Sequence, residues 1–340
     1  MIFSNIISSV EAHAAGCPLR VITGGFPNIP GRSVVEKTRY MRDNMDHLRT
    51  AVLFEPRGHS GMCATVITEA SMPGADVGML ILEPQGYVPM CGHCTIATCT
   101  VLVETGMVEV EAPVTKINLE TLAGLIEARV SVEGGRARSV TIRNVPAFLY
   151  EKGVSLKTRD FGEIALDVAY GGMYYLLVRA ESVGLTLEEG ELERIIASGM
   201  SIRADALDQL EIVHPEMDGR EQSYYGGTMQ VQFYGPPTHS EADSKNVVVI
   251  PPGSIDRSPC GTGTCSRLAV MYAVGEIGRG EEFVYESYIG TLFRARAVGE
   301  TRVGDYPAIV PELTGSGHVT AMHQFVIDPD DPLKHGFLMS

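Results

Sequence analysis

The sequence predicts an α+β fold made of two domains of similar design. Three observations lead to this prediction: strand-like runs outnumber helical ones, the chain is 340 residues long, and one cysteine-containing segment occurs twice, about half a chain apart. Many strands with few helices are typical of an α+β fold rather than of a doubly wound sheet. A chain of this length suits two domains of ordinary size.

The strands and helices follow from local pattern. Short runs rich in Val, Ile, Leu and Tyr and broken by Gly or Pro predict strands, and they cover residues 20–24, 51–55, 77–83, 139–143, 173–178, 228–233 and 246–250. Apolar residues at helical spacing predict helices over residues 34–48, 95–105, 185–198 and 264–274.

Composition excludes several classes of function. The net charge of −15 argues against nucleic acid and anionic membranes as partners, because both require a basic surface. No run approaches the roughly 20 apolar residues that span a bilayer, and the first residues lack the pattern of a secretion signal. Seven cysteines, an odd count in a long chain, favour free thiols in a reducing compartment. We therefore expect a cytoplasmic protein.

The repeated segment is the most informative feature. Cys91 follows Pro-Met, Cys260 follows Ser-Pro, and each cysteine is followed by glycine and a predicted helix. Gly106 and Gly275 each lie 15 residues after the cysteine (106 − 91 and 275 − 260), where a helix C-terminus is expected. The sequence therefore predicts two copies of one device, a cysteine at the start of a helix.

Such a device favours acid–base chemistry on an amino acid. Unpaired N–H groups and the helix dipole stabilise a thiolate and can also bind a carboxylate. Two facing devices would hold the carboxylate of an amino acid between two thiols. One thiolate would remove the α-proton and the other thiol would deliver a proton to the opposite face, so the pair would titrate together.

Three other interpretations of these cysteines stay open. A buried cysteine is often a small apolar residue with no chemical role. The run Cys91-Gly92-His93-Cys94 also matches the CGHC motif of a thiol–disulfide oxidoreductase, although the chain has no tryptophan and Cys260 stays unexplained. Zinc bound by Cys91, Cys94, Cys260 and Cys265 is the third interpretation.

Two long motifs and several shorter ones identify a family. They are Met90-Cys91-Gly92-His93, Ile96-Ala97, Asp256-Arg257-Ser258-Pro259-Cys260-Gly261-Thr262-Gly263-Thr264, Glu55-Pro56-Arg57-Gly58-His59, Tyr170-Gly171-Gly172 and Tyr285-Glu286-Ser287. With these residues the sequence resembles the proline racemase family over nearly its whole length. The sequence departs from the usual family pattern at Cys17, Cys94 and Cys265, where the family usually has Glu, Gly or Asn, and Ser.

The resemblance implies a diaminopimelate-epimerase-like fold, in which each of two pseudo-equivalent domains curves a sheet around a central helix. The C-terminal segment then completes the first domain, so the expected domains are residues 1–148 plus 303–340 and residues 149–302. The resemblance also implies that the protein uses no pyridoxal phosphate and forms a homodimer. The two-thiol chemistry itself needs no cofactor, and we expect no metal.

The resemblance assigns roles to individual residues. Cys91 and Cys260 match the two catalytic cysteines, and His93 and Asp256 match residues that contact the ring nitrogen of the substrate. The remaining matches are the carboxylate-binding Gly92, Gly261 and Thr262, and the two positions beside the substrate ring, Cys63 and Ile250.

The same residues indicate the substrate, an imino acid. Dehydratases of this family generally have Ser or Thr in place of one catalytic cysteine. Because both cysteines are present here, inversion is favoured over the dehydration of 3-hydroxyproline. Proline racemases place bulky aromatic residues at the positions of Cys63 and Ile250, so the smaller side chains here favour hydroxyproline. We therefore expect a 4-hydroxyproline 2-epimerase. The alternatives are a proline racemase, a 3-hydroxyproline dehydratase and a non-catalytic imino-acid binder.

Overall fold

A computed structural model of the chain describes residues 5–216 and 229–339. The chain forms two compact units, the first made of Met1–Ile142 and Gly315–Ser340 and the second of Arg143–Thr314. Both units combine strands with few helices, so the predicted α+β fold class is confirmed. None of the helices within the described ranges is long and apolar enough to cross a bilayer.

The first unit wraps its strands around one buried helix. Its elements are β1 (Asn5–Ala14), β2 (Cys17–Gly24), α1 (Val34–Asn44), α2 (Asp46–Leu53), β3 (Cys63–Thr68), β4 (Val77–Glu83), β5 (Gly86–Val88), α3 (Gly92–Glu104), β6 (Val114–Thr121), β7 (Gly124–Glu133), β8 (Arg136–Arg143) and the C-terminal β18 (Gly317–Ile327). Helix α3 is buried from Gly92 to Val103 and packs against β1, β2, β3 and β18. A helix that is small or apolar on all faces requires such a central position.

The second unit repeats this plan. Its elements are β9 (Phe148–Thr158), β10 (Gly162–Tyr170), β11 (Tyr174–Arg179), α4 (Leu192–Gln209), β12 (Gln230–Gly235), β13 (Ser244–Ile250), β14 (Ser254–Ile255), α5 (Gly261–Ala273), β15 (Phe283–Glu286), β16 (Leu292–Val303) and β17 (Tyr306–Gly315). Helix α5 is buried from Gly261 to Val270 and packs against β9, β10, β11 and β16.

Strand pairing makes the two units pseudo-equivalent. In the first unit β1 and β2 are antiparallel, β2 and β3 parallel, β3 and β4 antiparallel, and β4 and β6 parallel. In the second unit β10 and β11, β11 and β12, β12 and β13, and β13 and β15 repeat these four pairings in the same order. In each unit a further short strand, β5 or β14, pairs antiparallel with the fourth strand of the series, β4 or β13, and the buried helix follows it.

The two buried helices also end alike, as the glycine spacing predicts. Gly106 and Gly275 lie two residues beyond the last helical residue and have φ values of 67° and 75°. The N–H of Met107 donates to the carbonyl of Leu102 at 2.9 Å, and the corresponding bond from Glu276 to Met271 is 2.8 Å. These bonds close a Schellman motif, which requires the left-handed conformation that glycine adopts without strain.

Three local predictions differ from the structure. Residues 51–55, predicted as a strand, lie largely in α2, because a short buried apolar run has no periodicity that separates a strand from a helix. The helix predicted over residues 185–198 begins only at Leu192, and the helix predicted over residues 34–48 is interrupted at Met45. Of the strand predicted at 228–233, residue Thr228 lies outside the described residues.

Replacement of Gly106 by alanine tests the helix end. No atom lies within 4 Å of an added Cβ, so the cost is conformational and should be about 1–2 kcal/mol of unfolding free energy. Gly106→Asn should cost less, because asparagine tolerates the left-handed region. Urea denaturation followed by circular dichroism measures both values. Equal midpoints for the two variants and the wild type would contradict this account.

Candidate functional site

Cys91 lies where β5 leads into α3. Its backbone is extended, with φ of −145°, and the helix begins at the next residue, Gly92. The carbonyl of Cys91 accepts hydrogen bonds from both the N–H and the side-chain hydroxyl of Thr95, at 3.0 and 2.9 Å. These bonds hold the cysteine at the first turn of a buried helix, where the positive end of the helix dipole favours a thiolate.

His93 lies among the thiols of the first unit. Its Nδ1 atom is 3.2 Å from Cys91 Sγ, and its Nε2 atom is 3.4 Å from Cys94 Sγ. Cys17 is hydrogen-bonded to the same ring, and Cys63 also lies against it. The strands explain this cluster, because Cys17 and Cys63 begin the parallel strands β2 and β3, in which Leu19 pairs with Cys63.

This cluster stabilises a charged pair. A hydrogen bond from the Cys94 thiol and the nearby charge of His93 lower the pKa of Cys91 to about 5, although burial opposes the charged form. Burial alone would lower the pKa of His93, but the negative charge on Cys17, Cys91 and Cys63 raises it well above its ordinary value. Cys91 can therefore act as a thiolate beside an imidazolium near neutral pH.

Cys260 begins the equivalent helix α5 of the second unit. Its φ of 61° is left-handed, which is uncommon for a residue other than glycine. Its sulfur is 3.2 Å from the hydroxyl of Tyr175, and that hydroxyl is 2.5 Å from Thr262 Oγ1. Burial, followed by the charge of Cys260, raises the pKa of Tyr175 well above its ordinary value, so this hydroxyl stays protonated.

A hydrogen-bond network fixes the segment before Cys260. The backbone N–H and the hydroxyl of Ser258 both donate to Asp256 Oδ1 at 2.8 Å, and the N–H of Cys260 donates to Ser258 Oγ at 3.1 Å. The side chain of Asn246 donates to the carbonyl of Pro259 at 2.9 Å. Since Asp256 is itself buried, the network holds one carboxylate and one thiol in fixed positions.

Two glycines of the motif at residues 170–172 allow β10 and β11 to approach α5. A Cβ at Gly171 would lie 2.3 Å from the carbonyl oxygen of Thr262, and a Cβ at Gly172 would lie 2.8 Å from Cγ2 of Thr262. The close approach requires glycine at both positions. This close approach holds the first turn of α5, including Thr262, against β10 and β11.

The structure brings the predicted site residues together within each unit. In the first unit Cys63, Cys91, Gly92 and His93 gather at the start of α3, and in the second Cys260, Gly261 and Thr262 occupy the start of α5. Asp256 joins the second group through Ser258. Ile250 is the last residue of β13, half-buried, and is followed by the turn that leads to β14 and Asp256.

Two residues of these groups were not expected from the sequence to take part in the chemistry. Tyr175 contacts Cys260 from 85 positions away in the chain, and no motif marks it. Cys17 contacts His93, and the signal that could have identified it is the departure from the family pattern at residues 13–17.

Comparison with known families and proteins gives consistent matches over the whole chain. The profile of the family described as "Proline racemase" matches residues 9–338. The proline racemase of Clostridioides difficile is 42% identical over 339 residues, which is 100% of both chains. The 4-hydroxyproline 2-epimerase of Streptosporangium roseum is 45% identical over 334 residues, 98% of both chains. The trans-3-hydroxy-L-proline dehydratase of Burkholderia ambifaria is 37% identical, again over 100% of both.

A solved structure matches the fold closely. It is that of a hydroxyproline epimerase from Agrobacterium vitis with bound trans-4-hydroxy-L-proline. It superposes with a TM-score of 0.91 at 32% identity and covers 100% of this chain and 96% of its own. The predicted arrangement of two pseudo-equivalent domains, each a sheet around a central helix, is therefore confirmed by the fold.

Removal of the Cys94 thiol tests the electrostatics of Cys91. Since a hydrogen bond to a charged group contributes about 1.5–3 kcal/mol, Cys94→Ala should raise the pKa of Cys91 and reduce its thiolate fraction near pH 6 by about two- to fifteen-fold. The rate of iodoacetamide labelling of the Cys91 peptide, measured by mass spectrometry across pH, reports this fraction. Cys99→Ala, further along α3, is the control and should leave the profile unchanged. The same profile in Cys94→Ala as in the wild type would refute the assignment.

Proposed function

This chain belongs to the proline racemase family and is an isomerase, and from that premise we propose that it inverts the α-carbon of 4-hydroxyproline with two cysteines and no cofactor. The observation that supports the mechanism is the repeated device itself. Cys91 and Cys260 each begin a buried helix of 13 residues, and each sulfur has a buried polar partner, His93 or Tyr175.

In the proposed mechanism the two thiols act on opposite faces of the α-carbon. The thiolate of Cys91 takes the α-proton, the C–H electron pair stays on carbon, and the thiol of Cys260 gives its proton to the other face. The enzyme then holds a Cys91 thiol and a Cys260 thiolate, the state that turns over the opposite stereoisomer. Proton transfers of this kind contribute typically 10²–10⁴-fold each to the rate.

The substrate carboxylate and ring nitrogen need partners of their own. We assign the carboxylate to the backbone around Gly92, Gly261 and Thr262, because the first N–H groups of a helix have no partner within the helix. These donors would also stabilise the negative charge that develops as the proton leaves. We assign the ring nitrogen to Asp256, whose buried carboxylate suits a cationic amine, and to His93, whose imidazolium would donate to the nitrogen when the amine is neutral.

The choice of hydroxyproline rests on the side chains beside the ring. Cys63 and Ile250 are small or aliphatic and would leave room for a ring hydroxyl. The name of the Streptosporangium roseum relative and the ligand of the Agrobacterium vitis structure support this choice. The name of the Clostridioides difficile relative makes proline the second candidate.

Proton NMR in D₂O tests the proposal. With trans-4-hydroxy-L-proline the α-proton signal should disappear while the signals of the epimer, deuterated at the α-carbon, grow. L-proline and trans-3-hydroxy-L-proline in separate tubes are the comparisons. Exchange confined to proline would make the protein a proline racemase, and loss of the ring hydroxyl of 3-hydroxyproline would make it a dehydratase.

Replacement of each proposed base should stop the reaction. Cys91→Ser and Cys260→Ser should each lower kcat by about 10²–10⁴-fold, because a hydroxyl is a far weaker base than a thiolate. Cys99→Ser, buried in the same helix as Cys91 but outside the cluster, is the matched control and should retain most of its activity. Polarimetry of epimer formation measures all three variants. Near-wild-type turnover by either of the first two would exclude the two-thiol mechanism.

A further inference from the structure

The proposed reaction leaves one feature of the first unit unused, the concentration of thiols around a single imidazole. One thiolate and one thiol would suffice for the chemistry, yet Cys17, Cys63 and Cys94 also lie against His93. We propose that Cys63, His93 and Cys94 form a binding site for a thiophilic divalent cation such as Zn²⁺, with Cys91 as the fourth ligand. Metal bound there would inhibit the enzyme reversibly.

The distances suit tetrahedral coordination. Cys63 Sγ, Cys94 Sγ and a ring nitrogen of His93 all lie within 4.8 Å of one another. Zinc bonds of about 2.3 Å to sulfur and about 2.0–2.1 Å to nitrogen place the sulfur and nitrogen atoms of a tetrahedral site roughly 3.5 Å apart. The distance between Cys94 Sγ and His93 Nε2 is 3.4 Å, so this edge of the site needs almost no adjustment.

Cys91, the proposed base, would be the fourth ligand of the metal ion. Cys91 Sγ lies 4.0 Å from His93 Nε2, about half an ångström more than one zinc ion requires, so its side chain would have to move towards the other three ligands to complete the site. A set of three cysteines and one histidine is a common structural zinc site. Metal in this position would remove the lone pair with which Cys91 accepts the α-proton.

The ligands come from rigid elements. His93 and Cys94 occupy the first turn of α3, and Cys63 begins β3, which is paired with β2 and β4. All four ligand side chains are buried, with Cys63 and Cys91 retaining 7% and 6% exposure. A metal ion would therefore enter from the side where these two cysteines reach solvent.

The charge and atom balance needs no further reactant. Coordination displaces to the solvent the protons of the thiols and one ring proton of the His93 imidazolium, and no electron is transferred. The positive charge of Zn²⁺ is offset by the thiolates that bind it, so the buried site does not hold an unpaired ion.

Cobalt substitution tests the site without reference to activity. The full-length protein, reduced and freed of metal by a chelator, is titrated with Co²⁺, and thiolate-to-cobalt absorption with tetrahedral visible bands should appear at one ion per chain. Zn²⁺ should displace the cobalt. Cys63→Ala and Cys94→Ala should each weaken binding by at least about tenfold. Cys99→Ala and Cys265→Ala are matched buried controls and should bind like the wild type.

Two further measurements test the metal site and the proposed function separately. Metal binding does not rest on the proposed function, but the inhibition by metal does. Zn²⁺ should protect Cys91 from iodoacetamide and should stop α-proton exchange, and both effects should be reversed by a chelator. Cobalt bands that survive in Cys63→Ala and Cys94→Ala, or that vanish in Cys265→Ala, would overturn the site. Unprotected Cys91 would overturn its role as a ligand. Protection of Cys91 without loss of exchange would uphold the metal site and refute Cys91 as the base.

Discussion

The structure depends on the burial of two helices that carry cysteine at their first turn. A thiolate deprived of water costs several kcal/mol unless charge and hydrogen bonds replace the solvent. In the first unit this replacement comes from His93 and Cys94, and the helix N-terminus adds to it. The strands around α3 therefore have two tasks, to exclude water from the sulfur and to supply the groups that replace it.

The two units solve the same problem with different chemistry. The order of strands and their pairings repeat, and both helices begin after the same strand and end in the same motif. The partner of the sulfur differs, because Cys91 faces an imidazole that can carry charge and Cys260 faces Tyr175, a hydroxyl that stays protonated. Such a difference suits a pair of which one member begins as thiolate and the other as thiol.

The sequence predicted the features that are repeated or that depend on neighbouring residues. It did not predict the features that depend on contacts between residues far apart in the chain. The two cysteines, the helix starts and the glycine ends follow from spacing alone, and the structure confirms the helices. Residues 51–55 were misassigned because only tertiary packing decides between a short buried strand and a helix. Tyr175 could not be predicted as a partner of Cys260, since the contact arises from the position of β11 against α5.

The side chains that keep Cys91 as a thiolate are also the side chains that we propose to bind a metal ion. Lowering the pKa of Cys91 requires donors and positive charge close to the sulfur, and here a second thiol and an imidazole supply them. A thiolate, a thiol and an imidazole within a few ångströms are also the ligands that zinc prefers. A site that used backbone N–H groups alone would favour the thiolate without offering further ligands. The departure at Cys94 therefore increases the thiolate fraction of Cys91 and, in the proposed metal site, also supplies a ligand, so a change of this residue would alter both properties together.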